Sequence, residues 1–390
     1  MVMGQPALGQ TVGSDTAGRT STSSTVGAPI DWGVAAAMAH RLLPTGPAVA
    51  ADEAALTVRR LRDLATTAEG HVRELTGMDD GLPPQPAEVV DRRGWVEAAV
   101  GGLRLLLAGD AAGPVEGGIA RRVLARTAGM QIGVALAFLG SRVLGQYDPF
   151  GEAVASDLSA RPRVSEGSAR PTATQGNLLL VAPNMVNVQR ALEVPADDFQ
   201  MWVCLHEATH RLQFNAVPWL RAHFATQVQA FISATEDPES LAGMLSRLPA
   251  ALRGARRGEA GGSSDALAVL TLLQSPEQRA VLDRLLALAT LLEGHADHVM
   301  DAVGPDVVPS VRLIRQRFTV RRQGGGIAER VMRALLGVDA KLRQYAEGAA
   351  FTRHVVDAVG MAGFNAVWTS PETLPTRAEI IDPAAWLRRV

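Results

Sequence analysis

Trp202-Val203-Cys204-Leu205-His206-Glu207-Ala208-Thr209-His210-Arg211-Leu212-Gln213-Phe214 is the stretch from which the rest of the chain can be read. Its flanks are apolar almost all round, which predicts a helix enclosed by other elements rather than one lying on a surface. Within it, His206 and His210 are four residues apart. That spacing puts both imidazoles on one helical face, where they can reach one metal ion. Glu207 stands beside them as a general base, placed to accept a proton from a zinc-activated water. Two histidines on an ordinary helix could share this spacing without a metal. The apolar flanks favour the metal, because buried imidazoles and a buried carboxylate need partners. Arg211 departs from the extended form of the motif, which prefers an uncharged residue there.

A catalytic zinc takes one more protein ligand and keeps an open position. A histidine six residues after His210 would be one source, but that position is Ala216. The other source is a later helix, and Glu293-Gly294-His295-Ala296-Asp297-His298 offers one. Glu293 and Asp297 share a face, while His295 points about 200° away from Glu293 at roughly 100° per residue. Glu293 is therefore the expected third ligand. Asp297, one turn on, is expected to accept a hydrogen bond from a ligating histidine and fix its orientation. Gly294 would let the two helices approach closely. His298 is the rival ligand, or a substrate contact. Tyr345, on a helix further downstream, could fold over the metal and stabilise an oxyanion; a buried tyrosine with a satisfied hydroxyl is the alternative. Cys204, two residues before His206, reads as a small core residue. His40, His71, His223 and His354 stand alone in sequence and need no role, and Asp148 and Asn184 are expected as structural caps near the site. Arg312, Arg315, Arg317, Arg321 and Arg322 read as a solvated helical face, or else as a surface for an anionic substrate.

Around this centre the chain reads as helix after helix. Residues 1–29, rich in Gly, Ser and Thr, are expected to be a disordered tail without a secretory signal. Residues 30–390 are expected to form one metallohydrolase domain, with 150–176 as the place where two subdomains would divide. Asp52 to Leu75 has helical spacing with Asp52 as N-cap, and Gly118 to Leu144 is a long apolar helical pattern closed by Gly145-Gln146-Tyr147-Asp148-Pro149. Asn177 to Ala182 is the strand candidate, stopped by Pro183-Asn184. Helices are expected over Pro195–Phe214, Trp219–Thr235 and Ser275–Val303, the last kinked at Gly294. Residues 151–176 read as a loop, Gly254 to Ser264 as a linker, and Gly324-Gly325-Gly326 as a break. The chain is 47% hydrophobic and 20% charged with a formal net charge of -2, which points away from nucleic acid and from anionic membranes. The apolar stretch at Ile132–Leu139 is too short to span a bilayer. One cysteine excludes a disulfide within the chain and a Cys-rich zinc site, and fits a cytoplasmic location.

Glu293 and Asp297 after the first motif resemble the arrangement in thermolysin-like gluzincins, with a longer spacing. A broader resemblance runs from about Asp31 to Val390. It is carried by Val143–Asp148, Val181–Asn184, Trp202–Phe214, Leu292–Asp301, Gln344–Gly348 and Leu374–Thr376. These segments resemble the actinobacterial zincin-like family of zinc-dependent metalloproteases or hydrolases, some of whose members are associated with deazaflavin-coenzyme biosynthesis. The resemblance implies a mainly α, zincin-like metalloprotease fold with a small β element beside the H-E-x-x-H helix, and a gluzincin-like Zn2+ site of two histidines and a glutamate. The expected function is a zinc-dependent hydrolase, in the first place a peptidase, acting on a peptide or small amide. The alternative is a zincin-fold binding or scaffold protein with little proteolytic activity.

Overall fold

The computed structural model describes residues 30–79, 81, 83–84, 86–108, 118–151, 176–236, 276–323 and 338–390. The expected tail at 1–29, the loop between Gly151 and Gly176, the linker at 254–264 and the break at Gly324–Gly326 lie outside the described residues. The described elements run α1 (Trp32–Leu42), α2 (Ala51–Thr76), β1 (Glu88–Val90), α3 (Arg92–Ala108), α4 (Ile119–Gly140), β2 (Gly145–Asp148), β3 (Asn177–Val181), α5 (Ala182–Leu192), α6 (Ala196–Ala216), α7 (Leu220–Glu236), α8 (Pro276–Ala302), α9 (Val311–Gln323) and α10 (Val338–Phe364). Two short 3-10 turns and the helices α11 (Arg377–Ile381) and α12 (Pro383–Arg389) close the chain. The fold is mainly helical around one small sheet, as expected.

The sheet has the order β1-β3-β2. β1 runs parallel to β3, with Val90 opposite Val181, and β2 runs antiparallel to it, with Gly145 opposite Leu180 and Asp148 opposite Asn177. Strand β3 is buried along its length and apolar from Leu178 to Val181, as a strand covered on both faces has to be. Leu178 and Leu180 enter a core shared with Leu205, Phe199 and Leu291. Leu179 and Val181 enter a second core with Trp95, Leu136 and Ala137. Successive side chains on a strand alternate between faces, so this one run separates the two halves of the interior. The sequence reading places β3 within one residue but misses its neighbours. Gly145–Asp148 is a strand, not only the end of a helix, and α4 stops at Gly140 rather than Leu144. Pro183 does not stop regular structure either. It occupies the first turn of α5, where its missing N–H has no helical partner to lose.

Asp52 is not an N-cap: α2 begins after Ala50, and Asp52 and Glu53 lie in its first turn, where negative charge favours the helix dipole. Among the described residues, α4 is the one helix long and apolar enough, by length and composition, to cross a membrane, and 33% of its most apolar window is buried. It is longer than the apolar core at Ile132–Leu139 suggested. Gly129 and Gly133 seat it on α1, where a Cβ at either position would overlap the Asp31 or Ala35 carbonyl.

Asn184 serves as an internal junction. Its amide donates to the carbonyls of Gly140 and Val143 at 2.8 and 2.7 Å, and its oxygen accepts from Arg92 at 2.7 Å. Arg92 also donates to the Pro44 and Thr45 carbonyls, which joins the segment after α1 and the starts of α3 and α5 to the end of α4.

Helix α6 passes through the larger core. Asp197 and Asp198 occupy its first turn; Asp198 accepts from the Ser310 backbone at 2.8 Å and Asp197 pairs with Arg60 at 2.7 Å. Arg211 is 3% exposed at its side chain and reaches Glu69 of α2 at 2.8 Å, where Glu69 is 1% exposed. Glu69 also takes Arg73 at 2.6 Å. This buried pair accounts for the charged residue inside the motif. Removing one partner from such a pair leaves an uncompensated buried charge and typically costs about 3–5 kcal/mol, whereas exchanging both for apolar residues is often close to neutral. Glu69→Ala is therefore expected to destabilise by about 3 kcal/mol or more. The double change Glu69→Leu with Arg211→Met should recover most of that loss. Denaturant unfolding of the three proteins checks this, and a single variant as stable as the wild type would show that the pair does not hold α6.

Candidate metal centre

His206 and His210 project from successive turns of α6 into one cleft, and both remain half-buried while most of the helix is enclosed. Glu293 projects towards them from α8. The two Nε2 atoms lie 3.1 Å apart. Glu293 Oε2 is 3.3 Å from Nε2 of His206 and 3.7 Å from Nε2 of His210. Ligands about 2.0–2.1 Å from a tetrahedral zinc are separated by about 3.3 Å, so the three edges suit one such ion. This is the cluster of three potential ligands found among the described residues, with all donor atoms within 4.8 Å of one another. The donor set of two imidazoles and a carboxylate also fits zinc chemistry.

The electrostatics agree with a site that binds either protons or a metal. Burial alone would lower the His210 pKa. Hydrogen bonding and charge from Glu293, with contributions from Glu207 and Gln213, outweigh it and push the imidazole above its ordinary range. Burial alone would raise Glu293, but hydrogen bonds from His206 and His210 and their charges hold its carboxyl well below the usual range.

Glu207 is 6% exposed and lies against the first residue of β2: a Cβ on Gly145 would sit 2.6 Å from Glu207 Cγ. Glycine in this strand marks the close approach of its backbone to the Glu207 side chain. Cys204 is fully buried, and burial together with the Glu207 charge pushes its thiol up, in keeping with a core residue.

His298 lies outside the donor cluster; burial and then the charge of Arg353 lower its pKa. His295, as expected, faces away from Glu293. It is fully buried against Phe364 and Trp368, with ring centroids 5.0 and 5.7 Å away, and burial pushes its pKa down to about 3. Asp297 has a different partner from the one expected. Its carboxylate accepts from Arg315 of α9 at 2.9 Å, and Arg315 also holds the Asp297 carbonyl and Asp301. Asp297 faces α9 because it lies a full turn beyond Glu293. Arg315 and Arg317 are thus tied down rather than simply solvated, since Arg317 donates to the Leu192 and Glu193 carbonyls.

The ring nitrogens turned away from the centre meet other residues, which sequence reasoning did not single out. His206 Nδ1 faces Met300 Sδ at 3.2 Å, and His210 Nδ1 faces Gln213 Oε1 at 2.9 Å. The i,i+3 spacing of His210 and Gln213 was the available signal for the second. Gly294 does not serve the approach of α6. A Cβ there would overlap the Gly348 backbone, so Gly294 brings α10, not α6, against α8, and no break in helical geometry marks it. Tyr345 belongs to α10, but its side chain lies outside the described residues. The other tyrosine, Tyr147, lines the cleft, donates to Asn215 Oδ1 at 2.7 Å and accepts from Arg221 at 3.4 Å. Burial raises its pKa, against the opposing charges of Arg221 and Arg211.

The three donors and Glu207 open into a cleft of about 860 Å³. All four residues of β2 border it, and β2 is an edge strand among the described residues. Apolar residues such as Leu103, Leu136, Leu139, Phe214 and Phe224 form much of the remaining wall.

The family model of the zincin-like metallopeptidases matches residues 30–387. Among solved structures, the chain resembles a candidate hydrolase with a novel fold from Chloroflexus aurantiacus, at 29% identity and a TM-score of 0.62, over 92% of this chain and 98% of that one. No curated protein matches the chain significantly.

The surroundings of His210 favour its protonated form more than those of a free imidazole, so zinc competes with a proton for Nε2. Zinc binding is expected to release protons, and the apparent affinity to weaken as pH falls through the raised range of His210. Calorimetry in buffers of different ionisation enthalpy counts those protons; zinc bound without proton release in mildly acidic solution, where even an ordinary imidazole is protonated, would contradict the assignment. Glu293→Ala is expected to lose the ion in native mass spectrometry, and full retention would move the third ligand elsewhere.

Proposed function

The chain belongs to the zincin-like metallopeptidase family, and we propose that it is a zinc peptidase in which Glu207 is the general base. The convergence of His206, His210 and Glu293 on one point beside Glu207 carries this reading. Family and structural neighbour support the hydrolase; the zinc, the base and the peptide substrate are inferred from the residues.

His206, His210 and Glu293 would hold the ion. Zinc supplies a Lewis acid that polarises a carbonyl and acidifies water. Glu207 takes a proton from the attacking water and passes it to the leaving nitrogen as the C–N bond breaks. Its position under β2 limits its movement, which keeps the carboxylate oriented towards the cleft. The edge strand favours a peptide over a small amide. An extended chain can add to Gly145–Asp148 through main-chain hydrogen bonds, which brings its carbonyls along the cleft that contains Glu207. The apolar wall then has room for side chains. A protein that used this fold only for binding would have no need of a buried carboxylate beside the donors.

Glu207→Gln preserves shape and removes the base. It is expected to keep one zinc per chain and to lower kcat on peptides selected from a library by about 10²–10⁴-fold. Undiminished turnover with zinc in place would refute the role of Glu207.

A further inference from the structure

Gln213 joins the two helices that carry the metal donors. It follows His210 by three residues on α6 and is 0% exposed. Its amide nitrogen donates to the Leu292 carbonyl of α8 at 3.0 Å and to His295 Nδ1 at 3.0 Å. Its oxygen faces His210 Nδ1 at 2.9 Å. The orientation of this amide follows from its surroundings. A backbone carbonyl can only accept, so the nitrogen must face Leu292 and the oxygen must face His210. An amide oxygen can only accept in turn, so the proton of a neutral His210 resides on Nδ1. The lone pair is then on Nε2, the atom turned towards Glu293 and His206. His295 does not compete for the oxygen. Its Nδ1 accepts from the amide, which leaves its own proton on Nε2, and its ring packs against Phe364 and Trp368.

We propose that Gln213 is a positioning residue for the metal centre: it fixes the Nδ1–H tautomer of His210 and, through the carbonyl of Leu292, the place of the adjacent Glu293. It fills the part expected of Asp297, whose carboxylate is engaged by Arg315. One amide thus registers a donor on α6 against a donor on α8. The proposal rests on the metal-hydrolase reading of the same site.

The test is zinc affinity of the full chain, measured by competition with a chelator. Gln213→Leu retains the bulk and removes all three polar contacts, and is expected to weaken zinc binding about 10–100-fold. Gln213→Glu keeps an acceptor for His210 and, in its acid form, a donor for Leu292; it is expected to restore most of the affinity. In zinc-loaded protein, the His210 Nδ1–H signal in ¹H–¹⁵N NMR should be protected from exchange in the wild type and lose that protection in Gln213→Leu. A purely structural role would lower the unfolding temperature without separating the Leu and Glu variants in affinity, and that result would overturn the proposal. Should Gln213→Leu not fold, Gln213→Asn, one methylene too short to reach His210, decides: unchanged affinity overturns the proposal and weakened affinity supports it. Wild type without zinc would refute the metal-site reading itself, whereas equal affinity in wild type and Gln213→Leu would refute only the role of Gln213.

Discussion

Helix α6 is enclosed on nearly every side along its second half, and the buried polar groups next to its histidines take partners inside the protein. Arg211 finds Glu69 on α2, Gln213 finds Leu292 and His295 on α8, and the Thr209 hydroxyl returns to the Leu205 carbonyl. At about 100° per residue, Arg211 and Gln213 emerge on opposite sides of His210. Together they fix the rotation of the helix about its own axis. Apolar packing alone resists such a rotation weakly, because one aliphatic side chain can replace another with little loss. A buried ion pair on one side and an amide on the other cannot shift without leaving a charge or a carbonyl unpaired. The direction of His206 and His210 into the cleft follows from that constraint.

Glycine sets the remaining approaches. β3 is held between two cores, and β2 is attached to it at a fixed register, so the first residue of β2 comes to rest against Glu207. A side chain there would overlap the carboxylate. On the far side of the centre, Gly294 and Gly348 allow α8 and α10 into backbone contact, directly behind Glu293. Neither glycine binds anything. Each removes a side chain where a functional residue must be supported from close range.

How far the site could be read from the sequence depended on whether a signal was local. The two histidines, Glu207 and the pairing with Glu293 follow from periodicity within one helix at a time, and the three predicted donors do meet. β3 was legible because a doubly buried strand is a continuous apolar run. β1 and β2 were not, being three and four residues long and taking their pairing from β3 rather than from their own pattern. Asp297 depends on a contact between helices. Helical spacing correctly put it on the side of Glu293, but its hydrogen bond was decided by Arg315 on another helix. Gln213 was passed over for the converse reason: within its own helix it reads as an ordinary polar residue, and only the arrival of α8 gives its amide two acceptors.

Burying two imidazoles and two carboxylates in one place is costly unless something compensates their charges. In the metal-free protein protons do so, which is why His210 is raised and Glu293 lowered by one another. That compensation is incomplete in kind. A proton between the two Nε2 atoms, 3.1 Å apart, accounts for one edge of the cluster at a time. A cation that took lone pairs from both nitrogens and from the carboxylate would satisfy all three edges together. A structural zinc would recruit a fourth protein ligand and close. The donor group among the described residues has three members, and the side they leave faces the cleft shared with Glu207 and the β2 edge. The same packing that orients the three donors therefore leaves Glu207 and the bordering strand on the side that faces the cleft, which is the arrangement the proposed hydrolysis calls for.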